Sequence, residues 1–459
     1  MQISAITKAF ADRPLLVAWI VFAIYGAGAA ALVQFLVLPL LGPSLHAGHG
    51  LLVGQDSIGY HAIAAEMAAS IRQSGWSAWS LAPQGHTAAG LAAPFYYLIA
   101  AEPWSLIPVN AALQATAGII VMQLIRQLGV PTPIAFAGAA LWVGLPSTLQ
   151  WVTQIQKDCY YFTGMLGVLW GWTLLLRAPA QKSATPRIFA AGVVLCAGVV
   201  FAGAARVYSL LLIGATGAAI SIVAVAFLVW SLLTGKAEAK YCLTAMCLFI
   251  LLPIALQFTP HDRRLNAELP AVKGSFVEDS YLAKQTILDK WHPSAILPNS
   301  IDRDFLRLGV ARQGYTSETY RNAGGMIDLD IQFSSAEDIA TYLPRALQIG
   351  FFAPFPSQWF SAGTSPGGTI MRSAVGLEMM LLYPLLLFGL PMAIWRWRYL
   401  PEFWLIIIFC VPIVLAYTYT TPNLGTLHRL RYGFFTMLAA LGLATVLMTL
   451  HEWQGRRSH

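Results

Sequence analysis

The sequence predicts an all-α polytopic membrane protein with about ten transmembrane helices, interfacial helices and a sizeable external loop module. Apolar residues make up 57% of the 459 residues and charged residues only 11%, whereas about a quarter of a soluble domain is charged. The apolar residues form blocks long enough for a helix to cross about 30 Å of hydrocarbon. Strands of a membrane barrel would be shorter and would alternate apolar with polar residues.

Eleven apolar blocks are candidate spans, at about 15–41, 91–107, 108–125, 133–151, 159–176, 188–204, 207–233, 241–258, 375–395, 402–420 and 431–450. The first is too long for a removed signal peptide, so we expect a retained span. The block 91–107 contains Pro94, Glu102 and Pro103, which suit an interfacial segment better than a spanning helix. Without it, every short basic connection lies on one side of the membrane, as the positive-inside rule requires. We therefore predict ten spans with both termini cytoplasmic.

This topology predicts three modules. Residues 1–258 form an N-terminal membrane module with seven spans and a first external loop at 42–107. Residues 259–374 form an external, periplasmic loop module, and residues 375–459 form a C-terminal membrane module with three spans. The net charge of +7 is scattered at the ends of apolar blocks, so it indicates membrane topology rather than nucleic-acid binding. The five cysteines lie in or beside apolar blocks and predict neither a disulfide framework nor a cysteine metal site.

The first external loop contains the polar turn Gly54-Gln55-Asp56-Ser57-Ile58-Gly59-Tyr60-His61. A helix from Ser57 to Gln73 is predicted to lie along the membrane, with Trp76 and Trp79 as interfacial anchors. The Asp56 carboxylate has two open roles. It caps this helix by accepting backbone N–H bonds, or it acts as a general base towards an attacking hydroxyl.

Ionisable groups near the bilayer are costly and are therefore functional candidates. Lys157 and Asp158 end the third span at the outer face, either as a snorkelling lysine with its partner or as a phosphate contact beside a second acid. Arg206 lies between two apolar blocks on the outer side, where it is a topological hinge or a bidentate phosphate ligand.

The turn before the last span adds further charged candidates on the outer side. His428, Arg429 and Arg431 lie there, and an anion is the natural partner for the two arginines. Glu378 lies inside a span, where it pairs with an arginine in the bundle or marks a substrate path. We add Tyr60, His61, Tyr96, Tyr97, Glu378 and His428 as candidates for a substrate groove.

The end of the long external loop carries local signals. The run Ser335-Ala336-Glu337-Asp338 is similar to a capping box and precedes apolar residues at helical spacing. The aromatic and proline-rich strip at 351–359 suits the membrane interface or a lipid chain.

Three features together resemble the GT-C superfamily of membrane glycosyltransferases. The first external loop has the pattern Asp-Ser-x-x-Tyr-His-x-x-Ala, formed by Asp56, Ser57, Tyr60, His61 and Ala64. Ala-Pro-Phe-Tyr-Tyr follows at residues 93–97, and Lys-Asp ends the third span. The resemblance covers mainly residues 15–205 and is greatest to the dolichyl-phosphate-mannose protein mannosyltransferase and lipid A aminoarabinose transferase group.

The resemblance implies a polyprenyl-phosphate-sugar donor, an inverting displacement and Asp56 as the catalytic base. From the charges near the outer face, we expect Asp158 to be a second acid that orients the acceptor or shares a metal ion. The donor phosphate would be bound by Lys157, Arg206, Arg429 and Arg431. Many relatives carry paired acidic residues in the first loop, whereas Gln55-Asp56 supplies one. No cofactor is specified, and dependence on a divalent metal ion stays open.

The expected function is transfer of a sugar to an envelope glycan or lipid acceptor at the outer face of a bacterial inner membrane. The expected partners are a polyprenyl-phosphate-linked sugar, that acceptor and membrane lipids, without nucleic acid. An O-antigen or exopolysaccharide polymerase or ligase is the alternative enzyme. A transporter of lipid-linked glycans is disfavoured, because the intramembrane charges lie at one face and most span interiors are uncharged.

Overall fold

A computed structural model describes residues 12–54, 56–177, 184–233, 287, 289–315, 324–363 and 366–457. The described residues form helices and no β-strand. The predicted block 241–258 lies outside the described residues. In chain order the helices are α1 Pro14–Leu41, α2 Ser57–Ser74, α3 Thr87–Leu98, α4 Pro103–Arg126, α5 Thr132–Gly144, α6 Pro146–Thr153, α7 Asp158–Arg177, α8 Ala184–Ala205, α9 Ser209–Leu233, α10 Asn299–Gln313, α11 Ala336–Thr341, α12 Leu343–Phe352, α13 Pro356–Trp359, α14 Gly367–Trp397, α15 Pro401–Thr420 and α16 Leu424–Arg457.

Seven of these helices are long and apolar enough to cross a membrane, and the bent pair α5–α6 makes eight if it counts as one span. The chain is therefore a multi-pass helical membrane protein. The seven are α1, α4, α7, α8, α14, α15 and α16, and they coincide with predicted blocks. The predicted block 207–233 corresponds to α9, in which Ser209–Ile222 is a shorter apolar helix.

The block 91–107 is divided rather than continuous. Its first part belongs to α3, which has only 12 residues and is therefore about 18 Å long. A break at Ile99 and a 3₁₀ turn at Pro103–Leu106 separate α3 from the rest of α4. A helix of this length cannot cross the hydrocarbon, as predicted for this block.

The predicted third span is bent by 60° between α5 and α6. Pro146 disfavours helical backbone at the residue before it, and Leu145 is extended (φ −74°, ψ 144°). Three side chains bond the carbonyls that the break releases. The Val143 carbonyl accepts the Thr148 hydroxyl at 2.7 Å and the Gln114 amide at 3.2 Å, and the Gly144 carbonyl accepts the Tyr25 hydroxyl at 2.8 Å. These bonds let an interrupted helix lie at membrane depth.

The chain divides into two compact units. Unit 1 comprises Met1–Thr259, Pro384–Phe409 and Thr436–His459, and unit 2 comprises Pro260–Tyr383 and Cys410–Phe435. The C-terminal module predicted at 375–459 is therefore divided between the units.

The described part of the long loop belongs to unit 2 and is organised around two charged residues. Arg312 is buried and donates to the carbonyls of Asp328 and Ile331 at 2.6 and 3.1 Å. Asp328 accepts two bonds from Arg345, at 2.9 and 3.0 Å, and one from the Tyr342 hydroxyl at 2.8 Å. The hydrogen bonds from Arg345 hold the pKa of Asp328 below its ordinary value, against the opposing effect of burial. The bonds of Arg312 and Asp328 thus tie the described parts of this segment together.

The predicted cap at Ser335 is confirmed. Ser335 precedes α11, and its hydroxyl accepts the Asp338 N–H at 3.2 Å. In a capping box this carboxylate would accept the N–H of the capping residue, Ser335. The Asp338 carboxylate instead accepts the N–H and the hydroxyl of the preceding residue, Ser334, both at 2.8 Å.

Candidate functional site

Asp56 precedes the first residue of α2, and its side chain is exposed and makes no capping hydrogen bond. Its backbone φ and ψ are −58° and −20°, in the helical region, whereas a capping residue is normally extended. The cap is therefore excluded as the role of this carboxylate. Gln55 lies outside the described residues.

The next residue joins α2 to the corner between α6 and α7. Ser57 is buried, and its hydroxyl donates to the Ile155 carbonyl at 3.3 Å. Gln154 accepts the Leu52 N–H at 3.0 Å and donates to the Gly50 carbonyl at 3.1 Å. Ile155 itself packs in the apolar core between α2 and α3. The first external loop and this corner thus form one packed region.

The same corner leads into a buried ion pair. The Asp158 carboxylate accepts a bond from the Arg206 guanidinium at 2.7 Å, and the two side chains are only 2% and 4% exposed. Arg206 also donates to the Tyr208 hydroxyl at 2.7 Å and lies 4.9 Å from the centre of the Tyr161 ring. Lys157 donates to the Thr87 hydroxyl at 3.3 Å. The structure therefore brings Lys157, Asp158 and Arg206 together, and Asp158 is the partner of an arginine rather than an open acid.

Close packing of α7 against α8 holds this pair. A Cβ atom added at Gly164 would lie 2.4 Å from the Ala202 nitrogen, and one at Gly198 would lie 2.7 Å from the Gly164 carbonyl oxygen. Only glycine allows such an approach of two helices. Because α7 and α8 are consecutive and antiparallel, the start of one meets the end of the other, which brings Asp158 to Arg206.

The opposite end of α7 carries the basic groups predicted to be cytoplasmic. Arg177 ends α7 and pairs with Glu402 at 2.9 Å. A helix of 20 residues is about 30 Å long, which is the thickness of the hydrocarbon. The Asp158–Arg206 pair and the Arg177–Glu402 pair therefore lie a membrane thickness apart, consistent with the predicted sides.

The aromatic groove candidates form a titratable cluster. The His61 ring nitrogen Nδ1 lies 2.8 Å from the Tyr96 hydroxyl, and His49 lies 2.9 Å from the Glu102 carboxylate. The His49 and His61 ring centres are 5.0 Å apart. Burial, and then the His49 charge, lower the pKa of His61, while Glu102 opposes them. Burial, with the Glu102 charge, raises the pKa of Tyr96.

Sequence reasoning missed two members of this cluster, His49 and Glu102. Glu102 could have been found, because a carboxylate beside an apolar block usually has a partner. The remaining two tyrosines make ring contacts: Tyr60 lies 5.3 Å from the His86 ring and Tyr97 lies 5.1 Å from Trp76.

In unit 2, Arg431 is buried and its guanidinium donates to backbone carbonyls of Ile349, Gly350 and Ala353. These carbonyls lie at the C-terminal end of α12, where the Ile349 carbonyl also accepts the Ala353 N–H at 3.1 Å and Pro354 has no N–H to donate to Gly350. Arg431 therefore caps α12. This structural role replaces the phosphate-binding role that the sequence predicts for Arg431. We leave Arg431 out of the proposed site.

Glu378 makes a different contact from the arginine pairing that the sequence suggested. Its carboxylate accepts the Tyr432 hydroxyl at 2.7 Å and lies 3.8 Å from the His428 Nε2 atom. All three residues are buried. Arg429 is half-buried, and among the described residues no hydrogen bond or ion pair joins it to another side chain. Of the two arginines in this turn, Arg429 is thus the one that remains available to an anion.

Among the described residues, no group of three or more His, Cys, Asp or Glu side chains is placed to hold a metal ion. No protein-family model matches the chain, and comparisons with curated proteins and with solved structures gave no match. The resemblance to the GT-C superfamily therefore stays a prediction from the sequence.

Proposed function

We propose that this protein is a membrane glycosyltransferase that moves a sugar from a polyprenyl-phosphate donor to an envelope glycan or lipid acceptor at the periplasmic face of a bacterial inner membrane. One observation carries the proposal. The Asp56 carboxylate is exposed and uncapped, and it adjoins a region packed against the corner that bears Lys157, Asp158 and Arg206. A carboxylate on a region that packs against a corner with cationic groups suits transfer from a phosphate leaving group.

The proposed step is an inverting displacement at the anomeric carbon. The Asp56 carboxylate accepts the proton of the acceptor hydroxyl, and the hydroxyl oxygen forms the new bond to the anomeric carbon. The bond from that carbon to the phosphate oxygen breaks, and polyprenyl phosphate leaves with the electron pair. Lys157 stabilises the charge on the leaving phosphate, and the buried Asp158–Arg206 pair holds the corner that carries Lys157.

The test follows release of polyprenyl phosphate from a radiolabelled polyprenyl-phosphate hexose by the purified full-length protein. Loss of a general base lowers turnover by about 10²–10⁴-fold, so Asp56→Asn should lose transfer by that factor. Because Asp56 is exposed, the variant should keep the thermal stability of the wild type. Glu66→Gln is the matched control, since Glu66 is an exposed carboxylate on the same helix.

Wild-type turnover by Asp56→Asn would remove Asp56 as the base. Release of polyprenyl diphosphate from a diphosphate-linked oligosaccharide, with no turnover of the monophosphate donor, would favour the polymerase or ligase instead. In a separate binding measurement with polyprenyl phosphate, Arg429→Gln should weaken retention of the lipid. Unchanged retention would mean that Arg429 does not bind the lipid phosphate.

A further inference from the structure

A groove lies in unit 1, between the end of α14 and the corresponding part of α16. Its volume is about 610 Å³, and its walls include Trp395, Arg396, Arg398, Thr445 and Thr449. The groove is built from the helix ends that carry basic residues, at the end of the spans predicted to be cytoplasmic. No residue proposed for transfer contributes to it, so the inference does not depend on the proposed function.

A glycine crossing explains why the groove exists. A Cβ atom at Gly389 would lie 2.8 Å from backbone atoms of Gly442, so α14 and α16 touch through their backbones there. Beyond the crossing, the two helices carry larger side chains, including Trp395 on one and Thr449 on the other. Towards the ends of the two helices, Arg396 bonds Glu452 through both of its terminal nitrogens.

Arg398 supplies the charge that is not balanced within the groove. The carboxylate of Glu452 already neutralises Arg396. No carboxylate of the described residues forms an ion pair with Arg398. Its guanidinium lies 4.1 Å from the Trp395 ring centre and 4.6 Å from that of Tyr399, and one nitrogen donates to the Trp395 carbonyl at 2.5 Å. This arrangement fixes the cation while leaving N–H donors for a phosphate.

The surface beside the groove is apolar and open. Phe388, Trp395 and Tyr399 are 69%, 72% and 78% exposed. A soluble phosphate would need only the cation, whereas a phospholipid would also cover these rings with its chains. Aromatic side chains next to a basic groove at the end of spanning helices are typical of sites for anionic lipid head groups. We propose that this groove binds the phosphate of an anionic phospholipid, with Arg398 as its ligand and the acyl chains along Phe388.

The test uses the purified full-length protein in detergent and native mass spectrometry with phosphatidylglycerol or phosphatidylcholine of identical chains. The wild type should retain phosphatidylglycerol preferentially. Arg398→Gln should weaken that retention about tenfold, the change expected for one charge-assisted contact. Glu452→Gln should strengthen it, because it releases Arg396 from its partner. Arg187→Gln, which removes an exposed charge from α8, should leave it unchanged.

Three results would overturn the proposal. They are equal retention of the two lipids by the wild type, wild-type retention by a folded Arg398→Gln variant, and release of phosphatidylglycerol by excess inorganic phosphate. The last would assign the groove to a free anion. The Glu452→Gln variant keeps the test decisive if Arg398→Gln does not fold, since an unchanged affinity in that variant also contradicts the proposal.

Discussion

Breaking the Asp158–Arg206 ion pair should destabilise the membrane domain far more than breaking an exposed pair. Both side chains are almost fully buried and 2.7 Å apart, so either single substitution leaves one charge in a low-dielectric environment. Removal of one partner of a buried pair costs about 3–5 kcal/mol. Asp158→Asn and Arg206→Gln should each lower the free energy of unfolding by that amount.

The double variant separates ion-pair coupling from two independent defects. Independent sites would add to about 6–10 kcal/mol. We expect Asp158→Asn/Arg206→Gln to cost no more than either single variant, because no buried charge remains and an amide pair can still hydrogen-bond. The free energy of unfolding is measured by reversible titration with SDS in mixed micelles, followed by tryptophan fluorescence.

The other pair on α7 is the matched control. Arg177 is 45% exposed and its partner Glu402 13% exposed, at a comparable distance of 2.9 Å, and pairs that reach solvent contribute about 0–1 kcal/mol. Arg177→Gln should therefore change stability little. Strict additivity of the Asp158 and Arg206 variants, or equal costs for the buried and exposed pairs, would show that the buried pair is not coupled as its geometry indicates.

Two further predictions concern a helix crossing and a pH-dependent contact. Gly442→Ala should lower the free energy of unfolding by about 1–3 kcal/mol through overpacking, because the added Cβ would lie 2.3 Å from the Leu385 carbonyl oxygen. Gly192 has open space around it, so Gly192→Ala should leave the stability unchanged. Equal thermal stability of the two variants would contradict this. The pKa of Asp328 in the folded chain is below its ordinary value of 3.8. Its bonds to Arg345 therefore stabilise the folded chain above pH 3.8, and this stabilisation is lost as the pH falls through the pKa of the folded state. Asp328→Asn should thus be less stable than the wild type at pH 6, but its stability should fall less on acidification. Protease resistance of the loop measures this, and parallel pH profiles of the two proteins would contradict it.

The sequence predicts best the features that depend on local pattern or on neighbouring spans. The apolar blocks coincide with the long helices because each must satisfy its own backbone within the bilayer. The sequence also places Asp158 and Arg206 at the same end of two consecutive spans, but it assigns them to a second acid and a phosphate ligand or hinge rather than to each other.

The sequence does not predict contacts between residues far apart in the chain. Arg431 caps a helix 78 to 82 residues earlier in the chain, and its own neighbours in the sequence contain no sign of those carbonyls. His49 and Glu102 are 53 residues apart, so only the packing of the first external loop reveals their pairing. The bend at Pro146 could be anticipated from proline chemistry, but the side chains that complete its hydrogen bonds could not.

The interrupted helix α5–α6 has a consequence for how the chain enters the membrane. Its two parts have 13 and 8 residues, so neither can span the hydrocarbon alone. The donors from outside this segment that bond its released carbonyls include Tyr25 of α1 and Gln114 of α4. Both of these helices are synthesised earlier. We expect this segment to leave the translocon only with those two helices beside it, so that biogenesis of the N-terminal half depends on retaining early spans until the third arrives.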